Sequence, residues 1–179
     1  MNCQIKQGNI NEEDTEVLVL GSYEDDKTLP KNFQVLDKAL GGQLQELKKS
    51  GEFAGKNQQS VLIHTQGAIP AKRILFMGLG KKKEVTLDRI RQAMGSASKK
   101  TRQTGAQTCS APIIGTEALN ASAAEIAQAM VEGAILGCYR FNHYRSDNED
   151  GAKNIRSITL LANNVNQINE IKTGIRRGE

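Results

Sequence analysis

Between Leu36 and Gly80 this sequence passes from helical spacing to two short apolar runs, and that confines the chain to few folds. Phe33, Leu36, Leu40, Leu44 and Leu47 recur at helical spacing, with Gly41-Gly42 inside the run and Gly51 placed to cap it. The spacing predicts one helix. A glycine-rich turn from Gly51 to Gly55 follows, then two short apolar runs, Ser60 to Thr65 and Arg73 to Met77, that read as buried strands. The connection from Gly67 to Lys72 is short enough for an antiparallel hairpin, and Gly78-Leu79-Gly80 closes the second run.

The same alternation runs through the rest of the chain. Val17 to Leu20 is a short apolar run ending at Gly21, as a strand buried on both faces requires. Thr86 is placed to cap a helix that carries Asp88 in its first turn, shows Leu87, Ile90, Met94 and Ala97 on one stripe, and stops at Gly105. Ser122-Ala123-Ala124-Glu125 has the spacing of a capping box, and Ile126, Met130, Ala134 and Cys138 carry the helical period behind it. Thr108 to Ile114, interrupted by Pro112, and Arg156 to Ala162 read as further strands. Helices alternating with apolar strands predict a mixed α/β sheet with helices on both faces. Asn142 to Asn154 reads as a polar loop. From Asn166 to Arg177, Ile168, Ile171 and Ile175 begin an apolar stripe that is expected to continue and to pack on something beyond the chain.

At 179 residues the chain is one domain by length, with a 38% apolar and 25% charged composition that suits a globule. No apolar run is long enough to span a membrane. Cys3, Cys109 and Cys138 are odd in number and scattered, which suits buried thiols in a reducing cytoplasm better than a disulfide framework or a zinc site. The net charge of +4 is dispersed over Lys81 to Lys83, Lys99-Lys100 with Arg102, and Arg176-Arg177. With no Trp, a base-stacking platform is not expected.

No residue is singled out as catalytic, cofactor-binding or metal-ligating. The two histidines, His64 and His143, are far apart, and His64 sits in an apolar strand where a hydrogen-bonded core histidine is the expectation. Glu12-Glu13-Asp14, Glu24-Asp25-Asp26 and Asp147 to Asp150 read as solvated loops, not as a convergent two-metal cluster. There is no Gly-x-Ser-x-Gly elbow, and no cysteine has a histidine near it in sequence. Gly78-Leu79-Gly80 could offer backbone N–H groups to a phosphate, with Lys81 to Lys83 behind it, but it lacks the third glycine of a dinucleotide fingerprint.

The Leu36 to Gly80 stretch, Lys81 to Lys83 with Thr86-Leu87-Asp88, and the segment Val131-Glu132-Gly133-Ala134-Ile135-Leu136-Gly137-Cys138-Tyr139-Arg140-Phe141 together resemble the N-terminal domain of the leucyl (cytosol) aminopeptidase family. The resemblance implies a macro-domain-like, three-layer α/β/α sandwich over residues 1–165. It also implies that residues 166–179 start a helix leading to a C-terminal peptidase domain. In that family two divalent ions, zinc or manganese, sit in the C-terminal domain, and the Lys, Asp and Glu ligands that hold them have no counterpart here. The implied role is non-catalytic: assembly of a cytoplasmic homohexamer, and control of access to sites that remove N-terminal residues from peptides. Tyr139-Arg140-Phe141 would be a core-anchoring corner, and Gly133 and Gly137 would allow close helix packing. Two alternatives remain, an ADP-ribose-type nucleotide module and an accessory DNA-binding domain. Against the first, the Asn-Ala-Ala stretch and glycine loop of ligand-binding macro domains are replaced by Leu20 to Pro30, whose Glu24, Asp25 and Asp26 would repel a pyrophosphate.

Overall fold

A computed structural model describes residues 1–139 and 154–179. Six strands form one sheet: β1 (Asn2–Gln7), β2 (Val17–Ser22), β3 (Ser60–His64), β4 (Arg73–Gly78), β5 (Thr108–Pro112) and β6 (Ser157–Ala162). Their order across the sheet is β1-β6-β5-β2-β4-β3, parallel throughout except for β3, which runs antiparallel to β4 at one edge. Five helices accompany them: α1 (Lys31–Ala39), α2 (Gln43–Ser50), α3 (Leu87–Gln103), α4 (Ala123–Cys138) and α5 (Ile168–Gly178).

The pleat sends alternate residues to two cores. Val17, Val19, Leu75, Met77, Ile158 and Leu160 meet α3, α4 and α5 on one face. Leu18, Leu20, Ile74, Phe76 and Leu161 meet α1 and α2 on the other, where Phe53 stacks on Phe76 at 4.2 Å between centroids. The sandwich therefore has three layers, as the periodicity predicts. Thr86 Oγ1 accepts from the Arg89 N–H at the start of α3, and Ser122 with Glu125 forms the reciprocal capping box of α4. Gly133 and Gly137 do allow close packing: a Cβ on either would overlap the backbone of Arg91 or Gly95 in α3. No described helix is long and apolar enough to cross a membrane.

Five readings of the sequence are corrected. The helix predicted across Gly41-Gly42 is two helices, because those glycines take φ of +68° and +85° and the buried Asp37 carboxylate accepts the Leu44 N–H at 2.7 Å, capping α2 anew. Strand β1 was not predicted; its alternation, Cys3 and Ile5 inward against Gln4 and Lys6 outward, is short and polar, and its partner β6 lies at the far end of the sequence. Strand β3 is not buried on both faces: it is an edge, and only Ile63 in it is buried. The stripe of α5 is filled from within the domain, with Ile171 and Ile175 buried and Gly174 set against the Ala124 carbonyl of α4. Of the predicted loop from Asn142 to Asn154, all but Asn154 lies outside the described residues, as do Arg140 and Phe141. Tyr139 is described, and at 72% exposure it anchors nothing in the core.

Candidate functional site

In an open α/β sheet, ligands bind beyond the carboxyl ends of the parallel strands. At that end an inner cleft of about 190 Å³ lies between Tyr23, Phe33, Ile114, Glu117, Asn163 and Gln167, sharing Asn32 and Asn163 with two shallower grooves of about 580 and 670 Å³. Small-molecule sites usually hold about 300–1,000 Å³. The deficit has a cause in side chains. Leu79 and Ile114, both buried, close on Gly21 from two sides: a Cβ there would lie 2.9 Å from Leu79 Cδ1 and 3.3 Å from Ile114 Cγ2. Tyr23 fills the mouth and is itself buried.

The glycine turn that could have cradled a phosphate is already occupied. Gly78 donates its N–H to the Gln59 carbonyl at 2.7 Å, Leu79 to the Ser22 carbonyl at 2.9 Å and Gly80 to the Gly55 carbonyl at 3.0 Å. The Gly80 carbonyl in turn accepts from the Glu24 N–H at 3.0 Å. Gly55 takes φ of +75° so closely under the Tyr23 carbonyl that any Cβ would strike it. The loop before β3 is thus laid over the end of β4, and the donors an anion needs are spent on backbone.

The acidic run Glu24-Asp25-Asp26 serves the same closure. Asp25 Oδ2 accepts the Lys82 N–H at 2.8 Å, and Asp26 Oδ1 pairs with Lys82 Nζ at 2.8 Å. Lys82 also stands 5.1 Å over the Tyr23 ring and 3.8 Å from Glu117, and its hydrogen bond to Asp26 raises its pKa. Lys48 donates to Ser22 Oγ at 2.8 Å from beneath, with a pKa lowered by burial. Burial, reinforced by Glu117 and Asp26, raises the Tyr23 hydroxyl, which stays protonated. Two of the three carboxylates expected to repel a pyrophosphate are therefore engaged at Lys82, and Asp26 is no solvated loop residue; the cleft is closed by sterics more than by charge.

Elsewhere the predicted residues disperse. His64 is exposed, not a core histidine, because it ends the edge strand on the side turned away from the buried Ile63. His143 and Asp147 to Asp150 lie outside the described residues. Glu13, read as solvated, is buried: it takes Lys6 Nζ at 2.7 Å and Ser110 Oγ at 2.9 Å, closing the β1–β2 connection over the sheet. The basic clusters lose members to such roles, since Lys82 is held by Asp26, Lys100 by Ser60 Oγ, and buried Arg102 donates to the Cys138 carbonyl at 3.1 Å. Burial raises the Cys3 thiol to about 11 and Cys109 to about 12, which marks them as packing groups. Among the described residues, no three His, Cys, Asp or Glu side chains stand together so as to hold a metal ion.

Residues 19–148 match the profile of the cytosol aminopeptidase family, N-terminal domain. A probable cytosol aminopeptidase of Geobacter sp. (strain M21) is 35% identical over 162 residues, covering 90% of this chain and 32% of that protein. A tomato leucine aminopeptidase mutant superposes with a TM-score of 0.78 at 22% identity, over 98% of this chain and 35% of the other. An Oceanobacillus iheyensis macrodomain solved with ADP superposes at 0.72 with 14% identity, over 96% of this chain and 88% of the other, and shares the fold. The chain spans about a third of the length of the curated relatives it matches. It belongs to the cytosol aminopeptidase family, as that family's N-terminal domain.

Proposed function

We propose that this chain is the non-catalytic part of a cytoplasmic, metal-dependent leucyl aminopeptidase, shaping assembly and access instead of performing chemistry. Residues 1–165 form the macro-like body, and residues 166–179 begin the link to a peptidase domain. That peptidase domain would hold two divalent ions, zinc or manganese, and release N-terminal residues from peptides. Neighbouring subunits of a homohexamer and the chain's own peptidase domain would be its partners.

The observation that carries this reading is the filled strand-end cleft, where the Gly78, Leu79 and Gly80 N–H groups all bind backbone carbonyls. A domain that has lost its ligand cleft acts through its surfaces. The same observation weighs against the nucleotide-binding alternative, and the engagement of Lys82 and Arg102 weighs against a DNA-binding stripe. The test is an assay of the pure 179-residue chain on a leucine anilide with zinc or manganese. No turnover is expected; metal-dependent turnover would overturn the proposal.

A further inference from the structure

The strand ends carry more than the filled cleft. Beside it, the groove of about 580 Å³ runs past the ends of β1 and β6 to the first turn of α1. Its polar side chains are all carboxamides, those of Gln7, Asn9, Asn11, Asn32 and Asn163. The rest of its lining is aliphatic or glycine, with Val35 63% exposed. No charged group and no aromatic ring lines it. At Asn32 and Asn163 it continues into the groove of about 670 Å³, which passes Pro30 and reaches Asp26, Lys82 and Glu117.

Hydrogen-bonding groups of both kinds are left over along these walls. Asn11 donates its Nδ2–H to Asn9 Oδ1 at 2.9 Å, while its own Oδ1 is shut off from water and has no donor among the described residues. Asp26 Oδ2, in the second groove, is in the same position. A buried oxygen without a donor at a groove wall marks a missing partner. Donors are left over too. Pro30 brings no side-chain cap to α1, so the N–H groups of Lys31 and Asn32 meet no acceptor among the described residues.

That combination selects a class of ligand. Without a cation or a ring, the first groove neither pairs a phosphate nor stacks a base. Each carboxamide presents one C=O and one NH2 group, the same pair of functions that a peptide unit carries, and so matches a main chain of any sequence. The aliphatic lining between the amides suits small apolar side chains. In the order of the sheet, β1 and β4 are four strand spacings apart, about 19 Å at about 4.8 Å each. An extended chain crosses that span in about five or six residues.

We infer that the joined grooves bind an extended, uncharged peptide segment of about five or six residues, held through its main chain. Its N–H groups supply the donors that Asn11 and Asp26 lack, and its carbonyls accept from the first turn of α1 and from the Asn163 amide. The inference rests on the grooves alone and is independent of the aminopeptidase reading. Hydrogen bonds at a wall open to water are individually weak, so the expected dissociation constant is about 1 mM.

The test is a titration of the isotope-labelled chain, followed by NMR, with the blocked peptide acetyl-Ala-Val-Ala-Val-Ala-amide. The side-chain NH2 signals of Asn11, Asn32 and Asn163 should shift and saturate, while that of Gln103, at the far end of α3, should not. The same peptide methylated at every backbone nitrogen keeps its side chains, loses its N–H groups and should bind at least tenfold more weakly. Asn32→Ala with Asn163→Ala alters two exposed residues, so the doubly altered chain should keep its circular dichroism and bind the peptide at least tenfold more weakly. Shifts absent at ten times the expected dissociation constant overturn the inference, and so does equal affinity for the methylated peptide. Unchanged affinity in the doubly altered chain puts the peptide elsewhere and has the same force. Maltopentaose binding as tightly as the peptide gives the grooves to a hydroxyl ligand and overturns it as well.

Discussion

The Cα of Gly133 rests on the carbonyl oxygen of Arg91, so α4 and α3 touch backbone to backbone. Gly137 does the same at Gly95 one turn later. Neither obstructing group is a side chain that could swing away. Gly133→Ala is therefore expected to destabilise the domain by about 3 kcal/mol, the upper end of overpacking costs. A urea midpoint that hardly moves would mean the helices separate without penalty.

Glu16 gives the domain part of its acid sensitivity. Its carboxylate accepts the Gln107 N–H at 2.5 Å and the Thr108 N–H at 3.1 Å, fastening the entry of β2 to the start of β5. The Gln107 bond is the main cause of its lowered pKa, opposed by partial burial. A carboxyl with a depressed folded pKa contributes stability above its unfolded value of about 4.3 and loses it as pH falls through the folded value. Glu16→Gln should be less stable than the unaltered chain at neutral pH, and the gap should narrow below about pH 4. Parallel pH–stability curves for the two proteins would refute this.

Cys3 and Cys109 should be silent toward thiol reagents. With pKa values pushed to about 11 and about 12 by burial, neither forms appreciable thiolate at pH 8. The native chain should leave both unmodified, whereas all three cysteines should react in denaturant. Rapid labelling of Cys3 or Cys109 in the native protein would mean that the sheet opens at β1 or β5.

Added ADP-ribose should leave the melting temperature where it is, since a ligand stabilises only the state it binds. Between Tyr23, Leu79 and Ile114 the inner cleft holds about 190 Å³, below the usual range of about 300–1,000 Å³ for a small-molecule site. A concentration-dependent rise in Tm would show that these side chains move aside.

The layers of this fold are legible in the sequence because buried parallel strands and capped helices leave local signals. Thr86, Ser122 and the run from Val17 to Leu20 each do what their neighbours in sequence imply. What escapes a local reading depends on distant partners. Cys3 to Lys6 becomes a strand only because Ile158 and its neighbours lie alongside, and β3 is exposed because it ends the strand order of the described sheet. Asp37 illustrates the same limit: nothing in Phe33 to Leu47 announces that its carboxylate will cap a second helix instead of facing water. At the strand-end cleft, the sequence gives the glycines but not their use. Whether Gly78 and Gly80 offer their N–H groups to a ligand or to Gln59 and Gly55 is decided by a loop twenty residues earlier, as a rough count, that happens to fold back over them.

The pairing of β1 with β6 also sets an order of events at the ribosome. Asn2 waits for Ser157, so β1, made before the other strands of this sheet, pairs only with the one made after all of them. The bond between Gln4 and Thr159 spans 155 residues. At about 5–20 residues per second that is roughly eight to thirty seconds of synthesis. Until then the β6 edge does not exist, and Cys3 and Ile5 have no sheet to join. A nascent chain stalled before β6 would carry β1 unpaired, open to chaperones and proteases, while β2, β3 and β4 were already free to assemble.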